Sequence, residues 1–312
     1  MPITSAEAFT SSWYPQRSDL ILRPRYPGLA IDPPLPHEVD DAIHIEPTND
    51  QGTEFMAYIH IADGALLHDT DVVDGARHKG WSRYFDDGSA DLMLPTGVTD
   101  LLNLNKCSKT GVPAVTISFE FSKTHSIGSV LVQRSLVNAK GLSYKEFHQK
   151  YKKHDPDARY TAKAAQLLAN HTKLQSLSTE RFAEDVVGRF MVIANFIIAE
   201  QMESAGVPWL FRNNTKEAYL LWGNPEERAN FERMRVALYG AIALKHDSLG
   251  IKRYCHFTSP LRRFADLANH ANLGAYLDGA QPPYSEADIR DIAHELTALY
   301  VKRSSQFSKQ TA

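Results

Sequence analysis

The 312 residues carry 34 Lys plus Arg against 37 Asp plus Glu, a formal charge of −3 that excludes a histone-like polycation. Hydrophobic residues at 43% and charged residues at 23% exclude a disordered chain and predict a real core. Two cysteines, Cys107 and Cys255, are too few for a disulfide framework, no signal segment opens the chain, and no run approaches the roughly 18 apolar residues of a membrane helix. No membrane role is expected, and a cytoplasmic, reducing setting is. The near-neutral total does not exclude a nucleic-acid partner, because a phosphate-binding groove needs only local positive charge.

In chain order, the first thirty residues, with Tyr14, Pro15, Pro24 and Pro27, show no period and predict an irregular lead-in. Ala42 to Ile45 alternates apolar with polar, and Phe55 to Ala62 is rich in aromatic and branched residues, so both predict strands. Ala114 to Ser122 places Val115, Ile117, Phe119 and Phe121 on one face and Thr116, Ser118 and Glu120 on the other. Lys123 to Gly128 then turns into Ser129 to Leu136, a predicted hairpin.

After Gly141 the pattern favours helices over Tyr144 to Tyr151, Thr161 to Leu177, Thr179 to Ser204 and Glu226 to Leu244. Val186 to Ala199, broken by Gly188, Arg189 and Asn195, predicts a buried core helix. Ser285 with Asp288 opens a last helix whose apolar positions Ile289, Ile292, Leu296 and Leu299 recur at helical spacing. No linker, repeat or low-complexity tract separates the halves, so one α+β domain is expected, strand-rich first and helical second.

Two segments carry chemistry. Asp32, Glu38, Asp40 and Asp41 fall within ten positions on a loop holding Pro33, Pro34 and Pro36. Crowded carboxylates raise one another's pKa, and a converging group of them needs a cation to stay ionised. Oxygen-only ligands favour magnesium, with manganese as the alternative, over zinc or copper. A solvated acidic turn is the competing reading, and Asp40 and Asp41 can serve one site only where the strand is irregular.

The second segment runs from Tyr254 to Leu267. Ser259 followed by Pro260 predicts a helix start, and Arg262 and Arg263 would then sit in its first turn, where cations are otherwise unfavourable. Free N–H groups and the positive end of the helix dipole favour an anion, and Arg262 or Arg263 adds a guanidinium fork suited to phosphate oxygens. The competing reading is a structural ion pair to Asp266 or a distant acid. His256 and His270 are expected to be structural.

These segments resemble the ribonuclease II family, the RNB catalytic domain of 3′-to-5′ exoribonucleases. Ile31 to Ala42 is similar to its acidic signature and Ile59-His60-Ile61-Ala62-Asp63 to its next strand. Tyr84 through Leu94-Pro95 is similar to the segment with a base-stacking tyrosine. Cys107-Ser108, the helix through Ala194-Asn195, and His256 to Leu267 follow in the family's order. The resemblance implies an RNB-like domain over residues 28–312 with a mixed sheet, preceded by a lead-in of residues 1–27. It further implies magnesium-dependent hydrolysis of single-stranded RNA from the 3′ end to nucleoside 5′-monophosphates. Under it Asp32 and Asp41 hold metal with Asp40 and Glu38 in the same acidic group. Asp40 is the carboxylate most critical to the chemical step, Arg262 clamps phosphate and Tyr84 stacks on the terminal base. Arg263, Thr258 and Ser259 complete the RNA contacts.

This sequence also departs from the family. Glu38 stands where the signature has aspartate, no glutamate aligns with the family's functional one in Lys302 to Lys309, and the oligonucleotide-binding barrels that flank the family's catalytic domain are expected to be missing. Two basic segments, Lys140 to Lys153 and Arg233 to Arg263, could supply salt-dependent RNA affinity, although a solvated helix face accounts for most of the first. The departures motivate a second reading, a repurposed fold that binds an RNA or tRNA 3′ end with weak, absent or different chemistry. A third, a silent interaction protein, is disfavoured because Asp32, Asp40, Asp41 and Arg262 occur together.

Overall fold

A computed structural model describes residues 20, 22–68, 70–105, 110–122, 127–169, 177–222 and 225–310, with the side chains of 230, 234 and 303–310 outside the description. Cys107-Ser108, most of the turn after Ser122 and the side chain of Lys309 therefore lie outside the described residues.

Five strands close a barrel: β1 (Arg25–Asp32), β2 (Asp41–Pro47), β3 (Glu54–Ala62), β6 (Val112–Ser122) and β7 (Val130–Ser143). Neighbours are antiparallel except β1 and β7, which run parallel from Arg25 opposite Leu136 to Asp32 opposite Ser143. The sheet is mixed, as expected, but its closure was not. Part of the expected lead-in is thus strand β1, and β7 continues past Leu136 because β1 supplies a partner for its second half.

Closure also explains the polar face of β6. Thr116 and Ser118 are buried rather than wet. His60 Nδ1 lies 2.8 Å from Thr116 Oγ1, which lies 2.6 Å from Ser135 Oγ. Gly28 completes this interior, since a methyl group placed on it would lie 3.1 Å from Ala42 Cβ. The apolar face faces outward instead. Phe55, Ile59, Ile61, Val115, Ile117 and Phe119 pack with Phe190, Ile193 and Ile197 of the helix Phe182–Ser204, so the alternation places helices over the barrel.

Two short ribbons, β4 (Arg83–Tyr84) with β5 (Ala90–Asp91) and β8 (Phe211–Asn213) with β9 (Leu238–Gly240), add to the periphery. The expected helix over Glu226 to Leu244 is corrected here. It covers Pro225–Met234, Arg235 turns into the left-handed region at φ 51°, and Leu238 is buried in β9 beneath Tyr219 and Phe231. The helix expected from Thr161 begins earlier, at Pro156, because Asp155 accepts from Ala158 N–H at 3.2 Å and proline occupies the first turn. It ends at Leu168.

A second apolar cluster joins the barrel mouth (Ala30, Val39, Ala42, Ala62) to the helix Phe264–Leu277 and the final helix Glu286–Gln310 through Leu267, Ile289 and Ile292. Contact is close: a methyl on Gly274 would meet Ala65 Cβ at 2.7 Å, and one on Gly64 would meet Pro260 Cβ at 2.9 Å. Backbone approach of this kind holds the arginine segment against the barrel. Among the described residues, no helix is long and apolar enough to cross a membrane.

Candidate active site

The acids collect at one barrel mouth. Asp32 ends β1 and Asp41 opens β2, and the antiparallel register with Leu29 opposite Ile43 brings both to the same end. Asp40 lies just before β2, outside regular strand, which frees its side chain from strict alternation with Asp41. Its carbonyl accepts from Ala62 N–H at 2.8 Å. The preceding loop is pinned: Val39 N–H donates to Asn103 Oδ1 at 2.7 Å, and Leu104 N–H to Val39 O at 3.0 Å. Leu35, between two prolines, is held at φ 54°, a strained conformation for a leucine, and is 94% exposed.

Asp40 is buried, and its Oδ1 accepts from Leu261 N–H at 2.8 Å while Oδ2 accepts from Arg262 Nε at 2.9 Å. Arg262 Nη2 donates to Ser259 Oγ at 3.1 Å. The arginine side chain keeps 44% of its surface exposed, so the fork is fixed at one edge and open at the other. The side chains of Asp32 and Asp41 receive no hydrogen bond from any described residue, although Asp41 is buried.

The electrostatics follow. Burial, then the Asp40 charge, pushes Asp32 up to about 7, with Arg262 opposing. Burial pushes Asp40 up to about 6 against the pull of Arg262 and the Leu261 N–H. Asp41 is held well above the usual carboxylate range by burial, Asp32 and Asp40. One guanidinium does not balance two buried acids and a half-buried third, so the mouth holds protons near neutrality or takes a cation.

Among the described residues, no three His, Cys, Asp or Glu side chains converge in a metal-ligating group. A hard divalent ion such as magnesium is nonetheless commonly held by one or two carboxylates plus water and substrate phosphate. Asp32 and Asp41, all oxygen and without donors, fit that demand.

Glu38 corrects the expected acidic group. It is buried and both its oxygens are engaged outside the aspartate group: Ser82 Oγ donates to Oε1 at 2.7 Å and Tyr84 hydroxyl to Oε2 at 3.0 Å. Tyr84 is 50% exposed, with its ring stacked on His37 at 6.2 Å between centroids. A cavity of about 700 Å³ brings Asp32, Glu38, Tyr84, Phe85, Tyr144 and Arg262 together. Burial raises the Tyr144 hydroxyl to about 12, with the Asp32 and Asp41 charges adding to it.

The second segment is also corrected. The helix begins at Phe264, not Pro260, because Arg263 is extended, bridges Trp81, and is followed by Phe264 N–H donating to Gly80 O at 2.8 Å. Ser259 to Arg262 is a separate turn. Asp266 reaches back to accept from Ser259 N–H at 2.8 Å and from Arg263 Nη2 at 2.7 Å. Arg263 is therefore a structural ion pair rather than an open RNA contact. Thr258 and Ser259 are buried at 2% and 3%, with their hydroxyls engaged by Asn195 (3.4 Å) and Arg262, and present little surface to a ligand.

His256 bonds Tyr239 hydroxyl at 2.9 Å and His270 bonds Phe257 O at 3.0 Å, both structural. The second basic segment is not one open face: Arg253 pairs with Glu203 at 2.5 Å and with Glu200 at 3.5 Å. In the first, Lys150 pairs with Asp155. Sequence reading missed Ser82, Asn103 and Tyr144. Only Tyr144 had a signal, the capping box of Ser143 and Glu146 that starts its helix beside the acids.

The RNB domain family model matches residues 24–188 and 223–279. The chain belongs to the RNB domain family. Curated relatives include an uncharacterised ribonuclease, sll1290, of Synechocystis, 24% identical over 90% of this chain and 46% of its own length, and ribonuclease R of Aquifex aeolicus, 24% identical over 82% and 46%. The chain spans about half the length of these relatives.

Among solved structures, the Dss1 exoribonuclease active site mutant of Candida glabrata aligns at TM-score 0.74 with 19% identity, over 89% of this chain and 44% of that one. Mycoplasma genitalium RNase R in complex with ribose methylated single-stranded RNA aligns at 0.69 with 19% identity, over 90% and 56%. Yeast Ssd1, a pseudonuclease, aligns at 0.70 with 17% identity, over 90% and 43%. The RNB fold thus occurs with and without nuclease activity. In this chain Asp32, Asp40 and Asp41 are brought to one mouth.

Proposed function

We propose that this RNB domain is a divalent-metal-dependent exoribonuclease that removes nucleoside 5′-monophosphates from the 3′ end of single-stranded RNA. The observation that carries the reading is the excess of aspartate at the barrel mouth, where Asp32 and the buried Asp41 lack donors and Asp32 shares one cavity with a half-open arginine and a tyrosine. Magnesium, or manganese in its place, would be held by Asp32 and Asp41, where it would activate water and neutralise charge developing on phosphate.

The chain's own groups do the rest. Arg262, braced by Asp40 and Ser259, offers its outer N–H groups to a phosphate oxygen without having to reorganise. Asp40 holds that fork in place and adds negative charge beside Asp32 and Asp41. Tyr84 presents a ring on which any terminal base can stack, as a general nuclease requires. The curated relatives named as ribonucleases, and the RNA-bound RNase R structure, support RNA as the partner.

The test is magnesium with 5′-labelled single-stranded RNA, comparing wild type with Asp40→Asn. Stepwise shortening by wild type and intact but retained RNA with the variant is the expected outcome. Glu38 favours one alternative, a repurposed fold that binds an RNA or tRNA 3′ end, because its carboxylate is taken up by Ser82 and Tyr84. Retention without shortening by wild type would select that alternative.

A further inference from the structure

We infer that Glu38 is a positioning residue for the Tyr84 platform, with Ser82 as its anchor, and takes no part in holding metal. The inference rests on the proposed RNA 3′-end reading but concerns a different pair of residues. Three observations carry it. Both carboxylate oxygens of Glu38 are already engaged, one by Ser82 Oγ at 2.7 Å and one by Tyr84 hydroxyl at 3.0 Å. Ser82 is itself fixed on two sides, because Met93 N–H donates to its hydroxyl at 2.8 Å and its own N–H donates to Arg262 O at 2.9 Å. Tyr84 is half exposed on the cavity, and its ring is stacked on His37, the residue just before Glu38.

The acidic loop therefore grips the tyrosine from two sides, through the His37 ring and the Glu38 carboxylate. The same hydroxyl that orients Glu38 belongs to a residue bonded to the backbone of Arg262. Base platform and phosphate fork share one rigid link. A tyrosine that would otherwise swing about its side-chain torsions is thereby held for stacking before RNA arrives, which lowers the ordering cost of binding. The extra methylene of glutamate has a use here: from this backbone position an aspartate cannot reach Ser82 and Tyr84 together.

This assignment reverses the order of two variants. If the carboxylate charge served metal or phosphate chemistry, Glu38→Gln would be the damaging change and Glu38→Asp the mild one. If reach is what matters, Gln keeps both contacts, since its amide accepts from Ser82 and donates to Tyr84, and Asp loses one.

The experiment measures binding of 5′-fluorescein single-stranded RNA in EDTA by wild type, Glu38→Asp, Glu38→Gln, Ser82→Ala and Tyr84→Phe. Each is measured with an ordinary 3′ nucleotide and with an abasic 3′-terminal ribose. Glu38→Asp and Tyr84→Phe are expected to weaken binding of the ordinary RNA about threefold to tenfold. Both should match wild type on the abasic RNA, and Glu38→Gln should stay within about twofold of wild type on both. Magnesium affinity, measured with the metal alone, should be unchanged by Glu38→Gln.

A Glu38→Gln defect larger than that of Glu38→Asp, an equal loss on the two RNAs, or wild type binding both RNAs equally would overturn the inference. A variant that unfolds is recognised by circular dichroism, and ¹³C-tyrosine NMR of the RNA-free protein then decides from the remaining variants whether the Tyr84 ring is freed by shortening residue 38. Failure of the exoribonuclease reading would appear separately, as absence of shortening in magnesium by a wild type that still distinguishes the two 3′ ends.

Discussion

Asp40 and Asp266 are both buried aspartates, and each pairs with one of two adjacent arginines, yet their surroundings differ. Asp266 accepts from Arg263 and from Ser259 N–H through one oxygen, and the Arg263 side chain is drawn in to 29% exposure. Asp40 accepts from Leu261 N–H and from Arg262 through its two separate oxygens, but its arginine stays 44% exposed and two further carboxylates lie nearby without donors. The first pair holds the turn before a helix. The second leaves uncompensated charge on a cavity, and that surplus, rather than the ion pair itself, marks the place for a ligand.

The largest effect that separates the two is expected from Asp266→Ala, which strands Arg263 and an N–H in the interior. Denaturant unfolding should show a loss of about 3–5 kcal/mol, with activity lost through folding. Asp40→Asn should instead leave unfolding nearly unchanged while cutting RNA hydrolysis by about 10²–10³, read as kcat on short RNA. Equal destabilisation by both would erase the distinction.

Gly274→Ala tests the support common to both pairs, because the added methyl would meet Ala65 Cβ at 2.7 Å. A stability loss of about 1–3 kcal/mol is expected in the same unfolding assay, with Km and kcat of the folded fraction little altered.

The smallest effect is a pH dependence. Asp32 and Asp40 titrate near 7 and 6 when folded, above their ordinary 3.8, so the native state binds more protons than the unfolded one between those values. Their contribution to metal-free stability is complete below about pH 4 and is lost as pH rises through 6 to 7. Melting in EDTA should fall by a few degrees over that window. Asp32→Asn should flatten the slope, and millimolar magnesium should restore stability at the upper end.

The acidic loop was legible in sequence because proline and carboxylate density are local, and Arg262 because a cation at a turn start is conspicuous. Their partners were not. Glu38 read as one more member of an acid group, since nothing local reveals that Ser82 and Tyr84 lie opposite it. Ser259-Pro260 has the composition of a helix start, but the bridge from Arg263 to Trp81 overrides it and delays the helix to Phe264. Strand periodicity in β6 was correct. What it could not say is that Thr116 faces an interior, because that depends on β1 meeting β7. Leu238–Gly240 reads as helix in the sequence for the same reason: its partner β8 is remote in sequence.

That parallel meeting of β1 with β7 has a kinetic consequence. Asp41 belongs to the β2–β3 hairpin, whereas the strand that ends in Asp32 meets β2 at one pair, Leu29 opposite Ile43, and gains its long register only when β7, far along the chain, has been made and has docked beside it. The acids at the mouth are therefore held in full register only once the barrel shuts. Refolding followed by metal binding should then lag behind refolding followed by the β2–β3 hairpin, because the full set of acids is fixed only with the final closure.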